Sequence, residues 1–113
     1  MSAPVFLNRK LVLEEAQLLD DGHGGFNRSW IALGTLWANV VAGSGRESET
    51  QTLTVSSVPY RITVRNAPEG SDRRPKPDQR FREGSRVYRI AAVSDADRSG
   101  HYLLCHVREE VLA

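Results

Sequence analysis

The chain is poor in the residues from which metal sites, disulfide frameworks and thiol active sites are built. It has one cysteine, Cys105, and three histidines, His23, His101 and His106, in 113 residues. A lone cysteine excludes an internal disulfide framework and fits a reducing compartment. The histidines lack zinc-ligand spacing, and one thiol does not complete a usual site, so neither metal nor cofactor is expected. Charge of one sign is missing too. Fifteen Lys+Arg stand against 14 Asp+Glu, a net charge of +1. Any attraction to nucleic acid or a membrane surface must therefore come from local clustering. There is no apolar run long enough to span a bilayer, no signal-peptide pattern at the start and no internal repeat. The expectation is a soluble, cytosolic product forming one domain over residues 1–113.

What is present is mainly strand signal. Phe81–Arg108 reads as a short strand, a Glu83-Gly84-Ser85 turn, a strand near Arg86–Ser94, a polar turn and a strand near His101–Arg108. Period two puts Leu103, Cys105 and Val107 on one face, with Tyr102, Leu104 and His106 on the other. Neither face is wholly polar, so both should meet core or a neighbouring subunit. Upstream, Lys10–Gln17 has residues that also suit a helix. The loop Asp20–Gly25 follows at hairpin distance and favours a strand. Phe26–Val41 reads as a longer strand, with Gly34 marking a bulge or bend. Such a bulge would put Trp30 and Trp37, an odd number of residues apart, on one side. Leu53–Ser57 is a possible strand, and Tyr60–Arg65 gives the cleanest alternation, with Tyr60, Ile62 and Val64 inward. Two long loops, about 43–54 and 66–79, complete the chain, and Pro68, Pro75 and Pro77 are expected to keep the second out of any ladder. The fold expectation is all-β: a small antiparallel β-barrel or sandwich of five to six strands.

The case for catalysis is thin. Cys105 and His106 are adjacent, but strand neighbours point to opposite faces and their side chains cannot meet. Gly22-His23-Gly24-Gly25 and Gly43-Ser44-Gly45 lack the strand–loop–helix setting of a phosphate cradle. Glu14-Glu15 and Glu109-Glu110 read as solvated strand ends. No catalytic residue is assigned. Basic residues do cluster from Arg61 to Arg89, and Arg73, Arg74, Lys76 and Arg80 in or beside the proline-restrained loop are candidate contacts to a partner or to DNA. A solvated, charge-rich loop explains the same residues.

The ordered series of features resembles a known family. It runs from Leu7-Asn8-Arg9-Lys10-Leu11 through Asp20–Gly25 and Trp30 to Leu36-Trp37-Ala38-Asn39-Val40, then Ser44-Gly45-Arg46-Glu47. It continues with Tyr60–Arg65 and Gly84–Ile90 and ends at Gly100-His101-Tyr102-Leu103-Leu104-Cys105. This series is similar to the small head–tail joining proteins of long-tailed phages and gene-transfer agents, also called head-completion or stopper proteins. The long Ala67–Gln79 loop departs from the pattern, since the family passes more briefly to its next strand.

The resemblance implies a structural β-barrel subunit, not an enzyme, in the neck of a virion or gene-transfer-agent particle made in the bacterial host cytoplasm. It implies a homo-oligomeric ring, hexameric or dodecameric, with adaptor and portal proteins on the head side and a tail terminator on the tail side. Packaged double-stranded DNA would pass through the channel, and no membrane is involved. The loop after the second strand would project to that channel as a gate. Here its residues are Gly43, Ser44, Gly45, Arg46, Glu47, Ser48, Glu49, Thr50, Gln51 and Thr52. Their own chemistry fits, because glycines permit hinging and Glu47 and Glu49 would repel phosphates. The alternatives are a nucleic-acid-binding small barrel using Arg61–Arg89, or a neighbouring tail or tail-terminator component.

Overall fold

In the computed structural model the described residues are 5–43 and 58–110. Six strands follow in chain order: β1 Arg9–Asp20, β2 Phe26–Ala42, β3 Val58–Arg65, β4 Arg80–Glu83, β5 Arg86–Asp95 and β6 Tyr102–Glu110. All pairings are antiparallel, and the order β1-β2-β3-β6-β5-β4 closes where β4 pairs back onto β1. The all-β antiparallel expectation holds, and it resolves to a closed barrel. Closure removes the open edges of the barrel itself, while the β1–β2 ribbon that runs on beyond it keeps free edges among the described residues.

Alternation builds the core. Leu11 and Leu13 of β1, Ile62 and Val64 of β3, Phe81, Tyr88, Ile90, Leu103, Cys105 and Val107 point inward and are buried. Each such large apolar side chain contributes about 1.5–3 kcal/mol on burial. Cys105 is one of them, and burial pushes its thiol up to about 12. His106, its neighbour, faces outward and is exposed, so the pair is separated as strand geometry requires.

Two irregularities let the sheet curl. Leu13 pairs with Gly34 but Glu14 pairs with Ala32, which leaves Leu33 as an extra residue beside Gly34. Across this bulge Trp30 and Trp37 pair with Ala16 and Lys10, two positions of one β1 face, so both indoles lie outside the barrel. A second shift, between Ile90 and Ala92 in β5, leaves Ala91 unpaired opposite β6. Bulges add local bend and twist, which closing a small barrel demands.

Two expectations need correction. Glu14 is not a solvated strand end: it is 5 % exposed. Its carboxylate accepts Nε hydrogen bonds from Arg80 at 2.7 Å and Arg82 at 2.8 Å. Glu109 likewise accepts from Arg86 Nε at 2.8 Å. The sequence alone hides this, because the cationic partners lie on other strands. Nor does the 66–79 loop stay wholly out of the sheet. Asp78 N donates to Ile90 O, and Ile90 N donates to Gln79 O, both at 2.9 Å, while Pro75 and Gln79 are buried. The possible strand at Leu53–Ser57 lies outside the described residues.

Candidate functional site

One end of the barrel gathers the start of β1, the β4–β5 turn, the end of β6 and the two strand ends that flank residues 44–57. There Gly43 N donates to Pro59 O at 2.8 Å, extending the β2–β3 ladder by one bond. Beneath it, inward-facing charges pair across the mouth. Arg9 Nε donates to Glu83 at 2.8 Å, and Arg86 bridges to Glu109. The hydrogen bond from Arg9 holds the Glu83 carboxyl below its usual range, and that from Arg86 does the same to Glu109. Tyr60 and Tyr88 meet edge to face at 5.4 Å just inside. Equal numbers of opposite charges, each paired, seal the apolar core at this end. Of the residues expected to form a gate, only Gly43 is described; Ser44, Gly45, Arg46, Glu47, Ser48, Glu49, Thr50, Gln51 and Thr52 lie outside the described residues.

The four basic candidates do different jobs. Arg74 Nη1 donates to Asn66 Oδ1 at 3.0 Å and to Ala67 O at 2.8 Å, tying the 66–79 loop to itself. Arg80 is held by Glu14 and lies 4.1 Å from the Trp30 ring centre. Arg89 and Arg28 approach the same ring at 5.5 and 5.9 Å, so one indole gathers three guanidiniums around it. Lys76 is exposed, and its backbone N–H bonds Gln79 Oε1 at 2.9 Å. Arg73 is exposed, and its side chain has no ion-pair partner among the described residues. It leans over β2, where a Cβ placed on Gly34 would meet Arg73 Nη1 at 3.6 Å.

Arg73 thereby becomes one wall of a cleft of about 270 Å³, shared with Thr35, Leu36, Trp37, Arg65 and Ala67. Trp37 is 54 % exposed, and Lys10 Nζ lies 5.5 Å from its ring centre. Sequence reasoning did not single out Trp37 or Arg65 as a pair. The available signal was parity: with Leu36 and Ala38 inward, a tryptophan at 37 must face out. Among the described residues, no three His, Cys, Asp or Glu side chains gather as a metal-binding group.

These features define a small closed β-barrel whose paired charges brace its strands and whose unpaired ones flank an exposed indole. The chain belongs to the phage head completion protein family, which matches residues 3–110. Among solved structures it is similar to a chain of the "virion of native gene transfer agent (GTA) particle". That match has 54 % identity over 99 % of this chain and 100 % of that one, with a TM-score of 0.79. It also shares its fold with protein SF1141 from Shigella flexneri 2a, at 21 % identity, 94 % and 95 % coverage and a TM-score of 0.63. No curated protein matches.

Proposed function

We propose that this chain is a structural head–tail connector subunit in the neck of a phage-type or gene-transfer-agent particle. It assembles as a ring below the portal–adaptor complex, retains packaged DNA and offers the surface on which the tail docks. The observation that carries this reading is the 54 % identity, over essentially the full length of both chains, to a component of a native gene-transfer-agent virion. Membership of the head completion family supports the same role.

Within this reading, residues 43–54 act as the DNA gate. The chain leaves β2 and re-enters β3 at neighbouring points of one barrel mouth, next to the Gly43–Pro59 bond and the Arg9–Glu83 and Arg86–Glu109 braces. A gate segment needs a fixed base of this kind, so that movement in it leaves the barrel unstrained. Its glycines, serines and threonines, with Glu47 and Glu49, line a channel without gripping phosphate, which suits DNA that must later pass.

The test is removal of residues 46–52 from the chain in particle-producing cells. The expected result is particles that contain the chain yet lose their DNA or fail to join tails. Filled particles that deliver DNA normally would overturn the gate assignment. Absence of the chain from the neck would overturn the connector reading itself.

A further inference from the structure

Beyond the barrel wall, β1 and β2 continue as a free arm. β4 pairs with β1 only at Val12–Glu14, and β3 pairs with β2 only from Ala38 onward. Among the described residues, 15–20 and 26–31 therefore make strand pairs only with each other, and Gln79 Nε2 donates to Glu15 at the root of the arm. A two-stranded ribbon has little core of its own, yet this one carries Leu18 at 61 % and Phe26 at 68 % exposure, with Leu19 and Ile31 also exposed. Leu18 and Phe26 share one face of the ribbon and Leu19 and Ile31 the other, and bare apolar surface of this kind suits contact with a partner. Its tip is acidic: Asp20 and Asp21 spend one carboxylate oxygen each on turn N–H groups, and neither has a cationic side-chain partner among the described residues.

The complement of this arm lies on the same chain. The cleft beside Trp37 offers an exposed indole flanked by Arg65 and Arg73, two guanidiniums with no ion pair among the described residues. An acidic, apolar-flanked tip matches it in both charge and polarity. The arm cannot reach its own cleft. Gly34, against which Arg73 lies, is separated from Phe26 by roughly 26 Å of continuous strand.

We propose that the β1–β2 arm of one subunit seats its tip in the Trp37–Arg65–Arg73 cleft of a second copy. The donor and acceptor surfaces differ, so the contact is head-to-tail, the kind that closes into a ring when the rotation per subunit allows. The proposal rests on the ring reading above and names the contact that would build it.

The experiment uses full-length chain assembled into particles, carrying His23→Cys and Thr35→Cys together, the second an exposed residue of the cleft lining that leaves Arg65 and Arg73 in place, and a short bismaleimide as probe. Buried Cys105 does not compete. The expected product is a ladder of chain-to-chain cross-links. Each single substitution should give at least about tenfold less, and adding Phe26→Ser to the double variant should reduce the ladder similarly. Thermal melting of the purified variants confirms that the barrel is intact. Particles that contain the chain but yield no such ladder, or that cross-link the arm to a different particle protein, overturn the arm proposal and leave the connector reading standing. Particles that lack the chain overturn the connector reading and the arm proposal with it.

Discussion

At Glu14 two opposing forces act on one carboxyl. Burial pushes its pKa up, but the hydrogen bonds from Arg82 and Arg80 outweigh it, and the net shift is downward from 4.5. Glu83 and Glu109 are also lowered, by Arg9 and Arg86. A carboxyl depressed in the folded state stabilises fully above its unfolded pKa, and that contribution disappears as pH falls through the folded value. The melting temperature should therefore be nearly flat from neutrality down to about pH 5 and fall steeply below about pH 4. Glu14→Gln should cost about 2–3 kcal/mol at pH 7, because it strips charge from two charge-assisted hydrogen bonds, and should make the acid limb shallower. Tyr88→Phe provides the contrast. The Tyr88 hydroxyl is buried and has no hydrogen-bond partner among the described residues. Its removal should leave stability within about 1 kcal/mol of the parent, on either side. Urea titrations of both variants at pH 7 check the pair.

Among the elements, the β1–β2 arm is the one whose local stability separates from the whole. Its turn hangs on Asp21, whose Oδ1 accepts from His23 N at 2.7 Å and Gly25 N at 3.0 Å. Gly22 there has φ 80, a left-handed backbone that an L side chain resists. No other strand among the described residues pairs with the arm, so loss of these bonds should be felt locally. Asp21→Ala should speed amide exchange at Asn27–Ile31 about tenfold, while Leu103–Val107 in the core keep their protection. Uniform acceleration across both segments would show that the arm folds as one unit with the barrel. The bulges differ in how readable they were. Gly34 marks the first, since glycine inside a strand pattern is a familiar sign. Ala91, a small residue among Ile90, Ala92 and Val93, carries no comparable sign, and its place follows from the register against β6.

For the whole molecule, the barrel and the segment between β2 and β3 should behave as separable parts. Among the described residues every member of the apolar core cluster lies in a strand, and the ladder next to that segment is extended by the Gly43–Pro59 bond. Deleting residues 46–52 should leave the purified subunit folded, with unfolding free energy within about 1 kcal/mol of the parent, since closure cost varies only slowly with length. Calorimetry on the deleted chain is the check. A collapse in melting temperature would mean that the segment contributes to the barrel core.

Read alone, the sequence determined the strands, their inward faces and the family. Alternation at Tyr60–Val64 and Leu103–Val107 reports which side is apolar, and a period of two leaves little room for another arrangement. The separation of Cys105 from His106 followed from the same period. What only the tertiary structure decided was which charges meet. Glu14 lies 66 and 68 residues from the arginines that hold it, and Arg9 lies 74 residues from Glu83. Such pairings depend on strand order, on closure of β4 against β1 and on the slip at each bulge, none of which has a local signature. The Trp37–Arg65–Arg73 cleft was hidden for the same reason, because it joins two strands and a loop that become neighbours only once the sheet has curled.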